Sequence, residues 1–223
     1  MSSNSFFLLL FLAQLVILYF VSRQTIKELF IFFRRFMPER AVAVLITILF
    51  LPGTIMHELA HFIMAISLML RVREVSILPE FDDDYIKLGK VVYEKKDIVR
   101  GILVGIAPIF AGLFLFWMAS SWQLFPAPSF LLSVVMGYSI FVISTTMFSS
   151  KQDLVDMIYI VPLAVILIAV LYIFSIDVGS FIPPIFWNHL RTFINNLNFY
   201  FFFSFIIHIG IIVLLKILKK ILR

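Results

Sequence analysis

Six apolar stretches, 6–22, 41–69, 98–122, 129–148, 157–175 and 199–217, alternate along the chain with short polar or basic segments. A run of about 18 apolar residues is enough to cross the hydrocarbon layer of a bilayer. The pattern therefore predicts an all-α polytopic membrane protein with about six transmembrane helices. The second stretch is long enough to tilt or to extend past the membrane. In residues 23–40, Arg23, Lys27, Arg34 and Arg35 alternate with Phe30, Ile31, Phe32, Phe33 and Phe36, as in an amphipathic helix lying in the interface. Residues 71–93 break the helical pattern: 71–78 and 87–93 are rich in Val, Ile and Tyr and flank the acidic stretch 80–84. A β-hairpin with a solvated turn is expected there, after the second helix. The opening MSSNS carries no positive charge and no small-residue cleavage site follows it, so 6–22 reads as a retained helix and not as a removed signal.

Composition agrees with a lipid environment. The chain is 62% hydrophobic and 14% charged, against about 25% charged for a soluble domain. Cysteine is absent, which excludes disulfides, thiolate metal sites and thiol nucleophiles. The net charge of +5 comes from basic residues flanking apolar segments, a feature of membrane orientation and not of nucleic-acid binding. With both termini cytoplasmic, the inner segments 70–100, 149–156 and 216–223 hold twelve Lys and Arg and the outer segments 23–40, 122–128 and 176–198 hold six. The bias predicts that topology, although the basic 23–40 segment runs against it.

Candidate chemistry is concentrated in the second stretch, which reads Thr54-Ile55-Met56-His57-Glu58-Leu59-Ala60-His61-Phe62. This is H-E-x-x-H. Positions i and i+4 share one helix face, so His57 and His61 can grip one metal ion while Glu58 stays available as a base. Zinc brings the pKa of a water to about 7, within reach of such a carboxylate. Each ionisable side chain at mid-membrane costs roughly 2.5–3.5 kcal/mol, so three within five residues call for a compensating role. A catalytic zinc takes three protein ligands and keeps one position open. Asp153, Asp156, Asp177, His189 and His208 are the candidates for the third. Asp153 lies in a polar break after the fourth stretch, where irregular backbone at membrane depth would line a cavity, and residue chemistry alone does not separate it from Asp156. His208, between Ile207 and Ile209, reads as a packed helix-bridging histidine, and His189, near Trp187 and Arg191, as an interfacial anchor in an outer loop. Lys216, Lys219, Lys220 and Arg223 form a basic tail suited to anionic headgroups.

The order of these features resembles the site-2 protease family of intramembrane zinc metalloproteases. The HELAH motif follows Gly53; Gly105-Ile-Ala-Pro108 comes after the expected hairpin; Ser149-Ser150-Lys151-Gln152-Asp153 stands where the family places its third-ligand aspartate. The likeness spans roughly residues 41–175. Leu154 replaces the Gly that the family has after this Asp, and Gly112 and Ser144–Thr146 stand near positions where it has Asn, so the chain resembles a divergent member. The resemblance implies one Zn2+ per chain held by His57, His61 and Asp153, with Glu58 as catalytic base and Thr145 and Pro108 near the substrate or oxyanion. It implies hydrolysis of peptide bonds within or near membrane helices, with a membrane protein or peptide as substrate, the lipid bilayer as solvent and no nucleic-acid partner. Three regions are expected: 1–40 with the first helix and interfacial segment, 41–175 with the protease core, and 176–223 with a loop and the last helix. A prokaryotic cytoplasmic membrane is the expected location.

Overall fold

The structure, a computed structural model, describes residues 3–76, 80–81, 86–87, 89–94, 96–124, 129–148 and 184–222, together with positions 166, 170, 173 and 174. The described residues form five long helices and a small hairpin: α1 (Ser3–Phe33), α2 (Glu39–Ser67), β1 (Val72–Ser76), β2 (Glu80–Phe81), β3 (Ile86–Lys87), β4 (Lys90–Tyr93), α3 (Ile98–Ser121), α4 (Phe130–Thr146) and α5 (Pro184–Ile221). Among them, α2, α3 and α5 from Ile185 onward are long and apolar enough to cross a bilayer, and α4 is a shorter apolar helix. The chain is thus mainly helical with membrane-competent helices, as expected. The expected count of six is not reached by these five, and the 157–175 stretch falls outside the described residues apart from four positions.

Local chemistry accounts for the helix ends. Asp97 caps α3 by accepting from the Arg100 N–H at 2.8 Å, and Ser129 caps α4 by accepting from the Leu132 N–H at 3.3 Å. Met69 closes α2 in the left-handed region (φ 54°), with the Leu70 N–H reaching back to the Ala65 carbonyl at 2.9 Å.

The expected hairpin is present. β1 pairs antiparallel with β4, Val75 opposite Val91 and Ser76 opposite Lys90, with an irregularity between Val72 and Glu74; β2 pairs with β3. Arg73 makes a forked contact to Glu94 at 2.7 and 2.9 Å, tying the two long strands together. Val72 and Tyr93 pack on the Ala65–Leu70–Val104 cluster, which seats the hairpin against α2 and α3.

Two expectations are corrected. Residues 23–33 are not a separate interfacial helix but the continuation of α1, because Thr25, Glu28 and Leu29 are buried. Residues 184–198, expected in a loop, belong to α5, so His189 sits on a helix, exposed.

Helix directions revise the topology. Phe11 stacks on Phe201 with ring centroids 5.6 Å apart, Thr25 meets His208, Glu28 pairs with Lys219, and Arg35 donates to the Lys219 carbonyl at 3.1 Å. α1 and α5 therefore run side by side in the same direction. The N-terminal end of α1 and the C-terminal end of α5 lie at opposite ends of the bundle, an arrangement that does not support the expectation of both on one side. α2 and α4 are likewise parallel: the Tyr138 hydroxyl donates to the Leu49 carbonyl at 2.7 Å, and two turns further on His57 meets Thr146.

α4 ends at the centre of the bundle. The two residues that follow it, Met147 and Phe148, are buried in one apolar cluster with Leu18 of α1, Phe116 of α3 and Leu197, Tyr200 and Phe201 of α5.

Candidate metal centre

Glycine brings α4 against α2 beside the H-E-x-x-H motif. A β-carbon on Gly53 would collide with Thr146 Oγ1 and lie 2.6 Å from Val142 Cγ1, so only glycine permits this approach one turn before His57. Gly112 does the same on α3: a β-carbon there would lie 2.7 Å from Met147 Cβ. The end of α4 is held between two helices, and its last carbonyl falls beside the motif.

Both motif histidines then find backbone acceptors. His57 Nδ1 is 2.7 Å from the Thr146 carbonyl oxygen, and His61 Nδ1 is 2.8 Å from the Val104 carbonyl oxygen. A carbonyl oxygen only accepts, so each Nδ1 carries the hydrogen and each neutral ring presents an Nε2 lone pair. The two Nε2 atoms face each other at 3.1 Å, with ring centroids 4.7 Å apart and planes at 83°.

Helix physics supplies both carbonyls. Thr146 ends α4, and the last carbonyls of a helix have no intrahelical donor. Val104 precedes Pro108 by four residues inside α3, and proline has no N–H to give it. Pro108 thus leaves open the carbonyl that orients His61.

The arrangement fits a metal ion. Two acceptor nitrogens facing each other across 3.1 Å repel unless a cation or a shared proton lies between them. With Zn–N bonds of about 2.0–2.1 Å and a tetrahedral angle, two imidazole nitrogens on one zinc stand roughly 3.3 Å apart. An Nδ1–H bound to a backbone carbonyl is also the usual support for a histidine that ligates through Nε2. Glu58, on the same turn of α2, is 9% exposed and His61 6%, so the site is shielded by the helices.

Asp153, Asp156 and Asp177 lie outside the described residues. Among the described residues no group of three His, Cys, Asp or Glu is placed to share a metal. The Thr145 hydroxyl is buried and donates to the Phe141 carbonyl of its own helix at 2.6 Å. His208 is fully buried between α1 and α4, and His189 is exposed near the start of α5. Sequence reading missed the carbonyl roles of Val104 and Thr146. The first was signalled by a proline four residues downstream in an apolar helix; the second depends on where α4 lands.

No protein-family model, curated protein or solved structure matches the chain.

Proposed function

We propose that the chain is an intramembrane zinc metalloprotease resembling the site-2 protease family, with one zinc per chain. The observation that carries the reading is the His57–His61 pair: two Nε2 atoms 3.1 Å apart, each ring aligned by a backbone carbonyl. His57 and His61 hold the ion and Asp153 completes the set, with Asp156 as the other candidate. Chain reach supports either aspartate. Asp153 follows Thr146 by seven residues, a span of up to roughly 25 Å, and the Thr146 carbonyl already touches the His57 ring.

Bound zinc supplies Lewis-acid activation of a water and of the peptide carbonyl. Glu58, one residue along from His57, takes the proton of the attacking water and returns it to the leaving amine. Burial of Glu58 and His61 keeps bulk water from competing for these positions. A helical substrate must unwind to expose its scissile carbonyl, and the β1–β4 hairpin, seated at the end of α2, offers a strand edge for the extended segment.

Metal analysis of purified protein tests the site. Wild type is expected to carry one zinc per chain, and His57→Ala and Asp153→Ala to lose it; retention in Asp153→Ala would move the third ligand to Asp156. Glu58→Gln tests the chemistry. It should keep the metal and lose cleavage of a reconstituted membrane-helix substrate. Unimpaired cleavage would remove Glu58 as the base, absence of cleavage by wild type would refute the protease reading, and metal flux preserved in Glu58→Gln would favour a non-proteolytic metal transporter or sensor.

A further inference from the structure

We infer that His208 is a positioning residue for the metal centre: through Ser144 it holds the last turn of α4, whose Thr146 carbonyl orients His57. The inference rests on the metal-centre reading above and extends it to the α1–α5 helix pair, outside the 41–175 region that carries the motif.

The His208 ring bridges three helices. Its Nδ1 lies 2.9 Å from Thr25 Oγ1 on α1 and its Nε2 lies 3.1 Å from Ser144 Oγ on α4. All three residues are fully buried, and the ring packs against Phe141 with centroids 5.1 Å apart. Each hydroxyl also sits 2.9 Å from a carbonyl of its own helix, Thr25 from Val21 and Ser144 from Phe141.

Counting hydrogens shows how tightly the ring is held. A hydroxyl has one hydrogen and a neutral imidazole has one N–H. Four contacts compete for three hydrogens, so one hydroxyl must turn from its helix carbonyl toward the ring. Either Nδ1–H donates to Thr25 while Ser144 donates to Nε2, or Nε2–H donates to Ser144 while Thr25 donates to Nδ1. Both arrangements keep the ring bonded to α1 and α4 together.

Ser144 is two residues from Thr146, within the same helical turn. Glycine contacts bring α4 close to α2 and α3, but apolar contact alone allows a helix to rotate or slide. The His208–Ser144 bond adds a directional tie at the turn whose terminal carbonyl meets His57 at 2.7 Å. Thr25 anchors the opposite side of the ring to α1.

Cobalt titration of the full chain in detergent, followed by absorbance, tests the inference. His208→Leu and Ser144→Ala should each weaken Co2+ affinity by roughly tenfold, the scale of losing support around a metal ligand. The His208→Leu/Ser144→Ala double variant should be no worse than either single change. His208→Gln, which keeps one donor and one acceptor, should stay within about threefold of wild type. Thr25→Val, which leaves the Ser144 bond in place, should also stay within about threefold. Wild-type affinity in Ser144→Ala, or an equal loss in Thr25→Val, would reduce His208 to general packing. If His208→Leu fails to fold, Ser144→Ala carries the test. If wild type binds no Co2+, the metal reading falls, and the 15N ring resonances of His57 then decide the positioning role: a shift in Ser144→Ala supports it and an unchanged spectrum overturns it.

Discussion

The His57 and His61 rings are oriented by two carbonyls that helix geometry leaves without a donor, one at the end of α4 and one opposite Pro108. Pro108 shows how a locally unfavourable residue serves a site. A proline inside a helix costs about 3 kcal/mol relative to alanine, and here it opens the Val104 carbonyl to His61. Pro108→Ala should return an N–H to compete for that carbonyl. The expected result is a higher melting temperature in detergent together with zinc affinity reduced by about tenfold. The second lone pair of the carbonyl lets some of the His61 bond persist. A variant that melts higher and binds zinc as tightly as wild type would remove Pro108 from the site. The motif histidines were legible from their spacing. Their Nδ1 partners were not, because Thr146 lies 89 positions from His57 and only the packing of α4 brings them together.

At the scale of elements, α1 and α5 form a parallel pair, each with a row of buried positions spaced four and three apart: 18, 22, 25 and 29 on α1, and 194, 197, 201, 204 and 208 on α5, with 215 two turns further on. Spacing of this kind gives a seam between two nearly aligned helices. Serines 22 and 204 are fully buried in these rows, and small residues allow close backbone approach in lipid. The seam explains why 23–33 continues α1. Its polar residues look interfacial in isolation, but Thr25 faces His208 and Glu28 faces Lys219. The Glu28–Lys219 pair has side chains 10% and 14% exposed and sits just beyond the apolar stretches. The Lys219 hydrogen bond holds the Glu28 carboxyl below the ordinary carboxylate range. A depressed folded-state pKa gives stability that is present above the unfolded value and lost as pH falls through the folded one. Thermal melts in detergent should therefore drop as pH is lowered below about 4, more in wild type than in Glu28→Gln. Replacing one partner should destabilise more than replacing both with apolar residues of similar size. Equal acid sensitivity in Glu28→Gln would show that this pair is not responsible.

For the whole molecule, the parallel course of α1 and α5 places the turn at 34–38 beside the C-terminal end of α5, away from the hairpin. The basic residues then give no orientation: nine lie in 23–40 and 216–223, and eight lie in 71–100 and at Arg191. Because the chain has no cysteine, single-cysteine labelling in sealed vesicles reads the arrangement directly. Met37→Cys and Leu222→Cys should react with an impermeant reagent from the same side, and Met69→Cys from the other. All three residues are exposed. Labelling of positions 37 and 222 from opposite sides would overturn the parallel pairing.

The run of apolar stretches determined helices long and apolar enough to cross a bilayer, the Val- and Tyr-rich interruption determined the hairpin, and the i, i+4 spacing determined that two imidazoles share a face. These are local properties, since lipid solvation and backbone periodicity act on each segment separately. Tertiary structure alone decided that α1 runs unbroken to Phe33 beside α5. It also decided that glycines 53 and 112 admit the end of α4, and that carbonyls from two other helices aim the histidines. Those outcomes depend on which helices become neighbours, and in lipid that choice is made by close packing and a few polar contacts between residues far apart in the chain.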